Sequence, residues 1–412
     1  MTTKIKLKKP EVLAPAGTLE KLKTAIHYGA DAVYIGGNAY GLRSRAGNFS
    51  YEEMTDGVNF AKKHQAKVYV AANMVTHEED AEGAGEFFRK IRDIGIDAVI
   101  VSDPALMEIC MMDAPGLPVH LSTQASATNY ETLNFWHSEG LERVVLAREV
   151  SMEEIKQIRQ NTDVEIETFI HGAMCISYSG RCTLSNHMSA RDANRGGCSQ
   201  SCRWKYELFE IPEVGERKSL LAGDPEEAFS MSAVDMSMIH HIPDLVRNGV
   251  DSLKIEGRMK SIHYVSTVSN VYSRAVNAFC EDPDNYTFNQ EWEDELWKVA
   301  QRELATGFYY GVPTEDQQLF GKRRKIPGYT FIGQVLDYDE KSGIATIEQR
   351  NSFGIGDEVE FYGPGFRHHT QMIDVLWDEK GEEIERARHP LMTVKMKVEC
   401  PVKPHDMMRK RK

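Results

Sequence analysis

Four of the chain's seven cysteines fall in one short stretch, spaced Cys175-x6-Cys182-x15-Cys198-x3-Cys202. Small residues surround them: His171-Gly-Ala-Met-Cys-Ile-Ser-Tyr-Ser-Gly-Arg-Cys182, then Arg195-Gly-Gly-Cys-Ser-Gln-Ser-Cys-Arg203. Glycine and serine let a backbone wrap closely around a metal and aim N–H groups at sulfur, which tunes such sites. Four thiolates suffice for a 4Fe-4S iron–sulfur cluster or for a zinc site. The x6 gap is wide for a zinc knuckle. The Cys198–Cys202 pair lacks the third cysteine of the Cys-x3-Cys-x2-Cys spacing expected for radical chemistry through S-adenosylmethionine. Small buried packing cysteines are the alternative, and that reading is given to Cys110, Cys280 and Cys400, which stand alone in helix or strand patterns.

Other side chains could share that site. His171 lies four residues before Cys175, either as an active-site group or as a hydrogen-bonded structural histidine. Glu165 and Glu167 alternate on the same predicted strand, so both point into a barrel or both out of it. A carboxylate inside is costly unless paired, which makes Glu167 a candidate catalytic residue. Asn73, Ser122 and Gln124 stand at predicted strand ends, as do Arg148 and Arg258. The two arginines could grip a carboxylate or phosphate through two hydrogen bonds, or could anchor loops. Arg43 and Arg45 in a loop, and the run Lys322, Arg323, Arg324 and Lys325, could touch RNA phosphates; a solvated surface is the alternative. The sequence contains no H-E-x-x-H, G-x-S-x-G, G-K-[ST] phosphate loop or dinucleotide fingerprint.

The elements that would hold these residues read as an α/β chain. Short apolar runs start at Glu11, Ala32, Lys67, Ala98, Pro118, Arg143 and Val164, with an eighth at Asp251. Continuous runs of this kind suit parallel strands covered on both faces. Helical patterns fill the gaps, with Thr18 as a cap and Ser151 with Glu154 as a capping box. Eight repeats predict a TIM-like (β/α)8 barrel; a doubly wound open sheet is the alternative, disfavoured by the count and by the missing fingerprint. Roughly 80 residues separate the last two runs, more than a crossover helix needs. The expected division is a catalytic barrel over 1–282 with a cysteine-bearing insertion over 172–236, a helical and basic connector over 283–328, and a small antiparallel β-barrel over 329–412. Within the insertion, Lys205–Ile211 and Ser219–Gly223 read as a hairpin, and Met407–Lys412 reads as a frayed basic tail.

Composition narrows the setting. The chain has 412 residues, 41% hydrophobic, 27% charged and a formal net charge of −13, an ordinary globular balance. That charge disfavours a broad cationic coat for nucleic acid or membrane and leaves room for a local basic patch. No apolar run is long enough for a membrane span and no signal core follows the basic start, so a cytoplasmic protein with reduced thiols is expected.

The stretch Glu167-Thr-Phe-Ile-His-Gly-Ala-Met-Cys-Ile-Ser-Tyr-Ser-Gly-Arg-Cys-Thr-Leu-Ser185 resembles the signature of the collagenase-like peptidases, family 32 of the unknown-mechanism class. Leu13-Ala-Pro-Ala-Gly17, Cys202-Arg-Trp-Lys-Tyr206 and Lys254-Ile-Glu-Gly-Arg-Met-Lys260 resemble further hallmarks, and the likeness runs from about Glu11 to about Phe279. The resemblance implies a 4Fe-4S cluster on Cys175, Cys182, Cys198 and Cys202. Some relatives take their fourth ligand from a later Asp-Leu-Cys segment; here that stretch reads Asp235-Met-Ser237, which favours Cys202. One branch, similar in length and layout, implies hydroxylation of tRNA to 5-hydroxyuridine at the anticodon wobble position, dependent on prephenate or a related dicarboxylate metabolite. The rivals are a peptidase, as the family's name has it, and an RNA-binding module with a purely structural metal. A peptidase needs an activated nucleophile or a metal-held water, and a thiolate already bound to metal is a poor nucleophile.

Overall fold

The computed structural model describes residues 7–42, 48–206, 209–210, 215, 218–219, 230–314, 317 and 328–412. Arg43, Arg45, Lys322, Arg323, Arg324 and Lys325 lie outside them.

Eight parallel strands close on themselves: β1 (Glu11–Pro15), β2 (Ala32–Gly36), β3 (Lys67–Ala72), β4 (Ala98–Val101), β5 (Val119–Leu121), β6 (Arg143–Val145), β7 (Glu165–Ala173) and β8 (Ser252–Ile255). Each pairs with the next, and β8 pairs with both β1 and β7, so the barrel is sealed. The crossover helices are α1 (Leu19–His27), α2 (Tyr51–Lys63), α3 (Ala84–Ile94), α4 (Pro104–Asp113), α5 (Tyr130–Ser138), α6 (Met152–Asn161) and α7 (Ile242–Arg247); α8 (Ile262–Glu281) follows β8. The strands are mostly apolar because helices cover their outer face while the barrel fills its own interior; all five residues of β2 are buried.

Local signals agree with this fold. The Thr18 hydroxyl accepts from the Lys21 N–H, and Ser151 with Glu154 forms the expected capping box. The aspartate that directly precedes three of the strands does a second job. Asp31, Asp97 and Asp251 accept the backbone N–H of Val12, Val68 and Ile166 on neighbouring strands at 2.8–2.9 Å. These carboxylates stitch the lower rim, and the Asp251 contact fastens the closing pair β7–β8.

The long connection between β7 and β8 carries two short pieces of sheet. Phe209–Glu210 pairs antiparallel with Lys218–Ser219, inside the span expected for a hairpin. Asp235–Ser237 runs antiparallel to the end of β7, and Leu304–Ala305 pairs parallel with it.

Beyond α9 (Gln290–Val299) lies a separate antiparallel domain of seven strands: β9 (Tyr329–Asp339), β10 (Ile344–Gln349), β11 (Glu358–Gly363), β12 (Arg367–Met372), β13 (Leu376–Trp377), β14 (Thr393–Lys397) and β15 (Met407–Arg411). Their spatial order is β12-β11-β15-β9-β10-β14-β13. The expectation of a frayed tail is corrected here. Residues Met407–Arg411 form a central strand paired with both β9 and β11, because Met407 and Met408 are fully buried apolar anchors. Arg409, also fully buried, binds Glu295 of α9 and Glu360 of β11 at 2.8–3.0 Å. Tyr362 joins the two domains as well: its hydroxyl meets Ser266 at 2.8 Å and Thr267 at 3.1 Å on α8.

Candidate functional site

The ends of the barrel strands open into a cavity of about 440 Å³. Its wall includes Asn73 after β3, Ser122 and Gln124 after β5, Arg148 after β6 and Glu256 and Arg258 after β8. All four clustered cysteines line the same space from the insertion side. Residues drawn from five places in the sequence therefore share one site at the C-terminal face of the barrel, where such folds do their chemistry.

The cysteine segment is fixed to the barrel by polar contacts. Asn194 bridges the backbone of Cys182, accepting its N–H at 3.1 Å and donating to its carbonyl at 3.0 Å. The Asn194 carbonyl accepts the N–H of Val75 just beyond β3 at 3.0 Å. Arg195 is ion-paired with Asp80, and Ser179 donates its N–H to Glu149 at 2.8 Å. Cys175 and Cys198 are exposed, Cys182 and Cys202 half-buried. Burial pushes the Cys202 thiol up, and the adjacent Arg203 guanidinium offsets part of that while the other three cysteines add to it. Among the described residues, Glu295, Glu360 and His368 are the group of three or more potential ligands whose atoms lie within 4.8 Å of each other. Arg409 and Lys298 already neutralise those carboxylates.

The arginines are set by different means. Arg148 donates to the Ala173 carbonyl at 2.7 Å, approaches Glu256 at 3.5 Å and lies 3.9 Å from the centre of the Phe169 ring. Arg258 is 5% exposed and threads across the barrel mouth. A Cβ at Gly36 would sit 2.2 Å from its Nη1, and a Cβ at Gly17 would sit 2.5 Å from its carbonyl oxygen. The motif ending in Gly17 and the motif containing Arg258 are therefore two halves of one contact, since only glycine leaves room for that passage.

Two expected site residues fall elsewhere. Glu167 is fully buried inside the barrel, one layer beneath the cavity wall. It accepts from Lys254 at 2.6 Å and from Arg143 at 3.2 Å. Burial alone would raise its pKa; the Lys254 and Arg143 cations outweigh that and hold it at about 2. It is a fixed carboxylate that acts on the cavity through Lys254, which does line it. His171 is corrected more sharply. The β7–β8 register slips between Phe169 and His171, and this bulge turns the ring outward onto α8. There Nδ1 lies 3.3 Å from the Tyr272 hydroxyl, and burial lowers the imidazole pKa to about 3. The histidine is a neutral structural group, turned away from Cys175.

Sequence reasoning passed over Lys254 as a site residue. Its ammonium sits 4.8 Å from the centre of the Tyr34 ring and 5.5 Å from that of Phe169, both cavity-lining. The available signal was a lysine in the middle of an apolar strand run, which only a buried counter-charge can sustain.

Residues 17–319 match the sequence profile of peptidase family U32, and residues 327–409 match the profile of the peptidase family U32 C-terminal domain. The chain belongs to peptidase family U32. Among similar proteins, the Bacillus subtilis (strain 168) tRNA hydroxylation protein P1 is 52% identical over 405 residues, covering 98% of this chain and 96% of its own. The Escherichia coli (strain K12) tRNA hydroxylation protein P is 35% identical over 396 residues, with 86% of each chain covered. A Porphyromonas gingivalis protein called Collagenase is 33% identical over 419 residues, covering 95% of this chain and 94% of its own. The U32 profile spans both the strand ends and the cysteine segment, so every cavity-lining group described above lies within it. Among the described residues of this U32 chain, no helix is long and apolar enough to cross a membrane.

Proposed function

We propose that this protein hydroxylates tRNA, forming 5-hydroxyuridine at the anticodon wobble position, with a 4Fe-4S cluster on Cys175, Cys182, Cys198 and Cys202 and a prephenate-type dicarboxylate as co-substrate. The observation that carries the reading is the 52% identity over 98% of the chain to a tRNA hydroxylation protein. The four thiols around one cavity support the cofactor, since four thiolates suffice to hold an iron–sulfur cluster. When bound, such a cluster supplies electron transfer or Lewis acidity at the barrel mouth.

The chain's own residues would do the rest. Arg258 and Arg148 offer guanidinium groups to a dicarboxylate, and Lys254, ion-paired with Glu167, offers a third basic group from below. Asn73, Ser122 and Gln124 present small polar groups to a uracil edge. Among the described residues the Gln124 side-chain oxygen is buried without a hydrogen-bond partner, so a ligand N–H would satisfy it. Phe169 and Tyr34 line the apolar side.

Mass spectrometry of tRNA nucleosides from a strain lacking the gene tests this proposal. The 5-hydroxyuridine derivatives should disappear and return with the wild-type gene; unchanged nucleosides in a strain without a second route to the modification would defeat it. The relative called Collagenase keeps a peptidase reading in view. That reading requires cleavage of collagen-like peptides by protein stripped of metal and by the Cys175→Ser variant. It draws no help from His171, which faces α8.

A further inference from the structure

The cysteine segment is far more basic than the chain that carries it. Residues 174–206 hold five Lys or Arg against one Asp, in a protein of net charge −13. Arg195 is occupied by Asp80, leaving Arg181, Arg191, Arg203 and Lys205 to set the local field. The same segment carries large exposed rings. Tyr178 is 56% exposed and stands between the cavity-lining Ser177 and Ser179; Trp204 is 43% exposed and follows the cavity-lining Arg203. Trp204 is the exposed tryptophan among the described residues, the other four being buried or half-buried. Surface tyrosine and tryptophan beside a cavity expose costly apolar area for no gain in folding.

We infer that this segment is a collar that grips a single-stranded RNA loop, with Tyr178 and Trp204 stacking on the bases that flank the one entering the cavity. Three observations meet in it. Basic residues outnumber acidic ones over 174–206 in a chain of net charge −13, which suits the approach of a polyanion to this segment rather than to the surface at large. Flat rings at the rim suit unstacked bases, which a duplex does not offer and a loop does. The cavity lined by their sequence neighbours Ser177, Ser179 and Arg203 would take one base out of its stack, as enzymes acting on a base require. The collar is also held stiff before RNA arrives: Ser179 is bound to Glu149 beside Tyr178, and the Cys202 carbonyl accepts from Ser230 at 3.3 Å beside Trp204. Little ordering is left to oppose binding.

The inference rests on the proposed reaction for its choice of RNA, and binding can be measured apart from turnover. Full-length, anaerobically prepared protein is titrated with an anticodon stem-loop RNA, with a duplex RNA of equal length and with poly-glutamate. The stem-loop should bind with a steep salt dependence and quench tryptophan fluorescence. Tyr178→Ala and Trp204→Ala should each weaken it about ten-fold, and Trp204→Phe should restore most of the affinity while abolishing the quench. Unaltered iron content and circular dichroism certify the variants' fold. Wild-type affinity in both alanine variants, equal binding of duplex RNA, or equal binding of poly-glutamate would each overturn the collar. If the variants behave as expected yet tRNA nucleosides are unchanged in the deletion strain, the collar stands and the reaction falls. If nucleosides change yet Trp204→Ala binds normally, the collar falls alone.

Discussion

The barrel has two polar regions one layer apart, and they are built on opposite rules. In the lower one, Arg143 is flanked by Glu11, Glu165 and Glu167, and Lys254 closes on Glu167; contacts run from 2.6 to 3.2 Å. Each charge there has a counter-charge, and Tyr69 and Ser252 add hydrogen bonds to Glu11. At the mouth, four thiols and the Gln124 oxygen face a cavity instead. The same strand, β7, ends one region and begins the other. Buried charge by itself is therefore a poor guide to function in this fold: the saturated layer stiffens the barrel, and the layer with capacity left over can bind.

That contrast can be broken in order of expected effect. Cys175→Ser at the mouth should abolish 5-hydroxyuridine formation while secondary structure is kept, read by nucleoside mass spectrometry and circular dichroism. Loss of folding instead would make the mouth a structural centre. Glu167→Gln below should cost about 3–5 kcal/mol of stability in urea unfolding, since it leaves buried Lys254 and Arg143 short of a counter-charge. A cost under 1 kcal/mol would mean the lower layer is not saturated.

Acid should act through buried neutral histidines. His120 and His171 have pKa values lowered to about 3, His120 by burial and then by Arg143, His171 by burial. The unfolded chain binds protons at these sites below about 6.5 and the folded chain does not. Stability is therefore full above that pH and falls as pH drops toward 3, by about 1.4 kcal/mol per pH unit for each histidine. His171→Phe should flatten that slope without changing the pH profile of hydroxylation; a shifted activity profile would return His171 to the site. The smallest effect belongs to Arg258→Lys, which should weaken the dicarboxylate about ten-fold and leave the melting temperature unchanged, since a lysine cannot reproduce two parallel hydrogen bonds.

Much of this architecture was legible in the residues. Eight apolar runs, the Thr18 and Ser151 caps and the interrupted beat before β8 follow from local rules, and the structure keeps them. The cysteines and the strand-end residues Asn73, Ser122, Gln124, Arg148 and Arg258 converge as expected, because in a parallel barrel every strand delivers its C-terminal end to one face. Other features depend on tertiary contacts that leave no local trace. A one-residue slip in β7 moved His171 to the outside, and period-two reasoning cannot see a bulge. Met407–Arg411 looks like a basic tail until Glu295 and Glu360, more than 45 positions away, are known to receive Arg409. The polar strand β12, Arg-His-His-Thr-Gln-Met, has too little alternation in hydrophobicity to announce itself.

The central claim is that the four thiols at the barrel mouth hold one iron–sulfur cluster. Iron and sulfide analysis with Mössbauer spectroscopy on anaerobically purified full-length protein tests it most directly. The account expects about four irons and four sulfides per chain with a cubane spectrum, lost in Cys175→Ser and Cys198→Ser but retained in Cys110→Ala. One zinc per chain, or iron undiminished in the Cys175 and Cys198 variants, would contradict it.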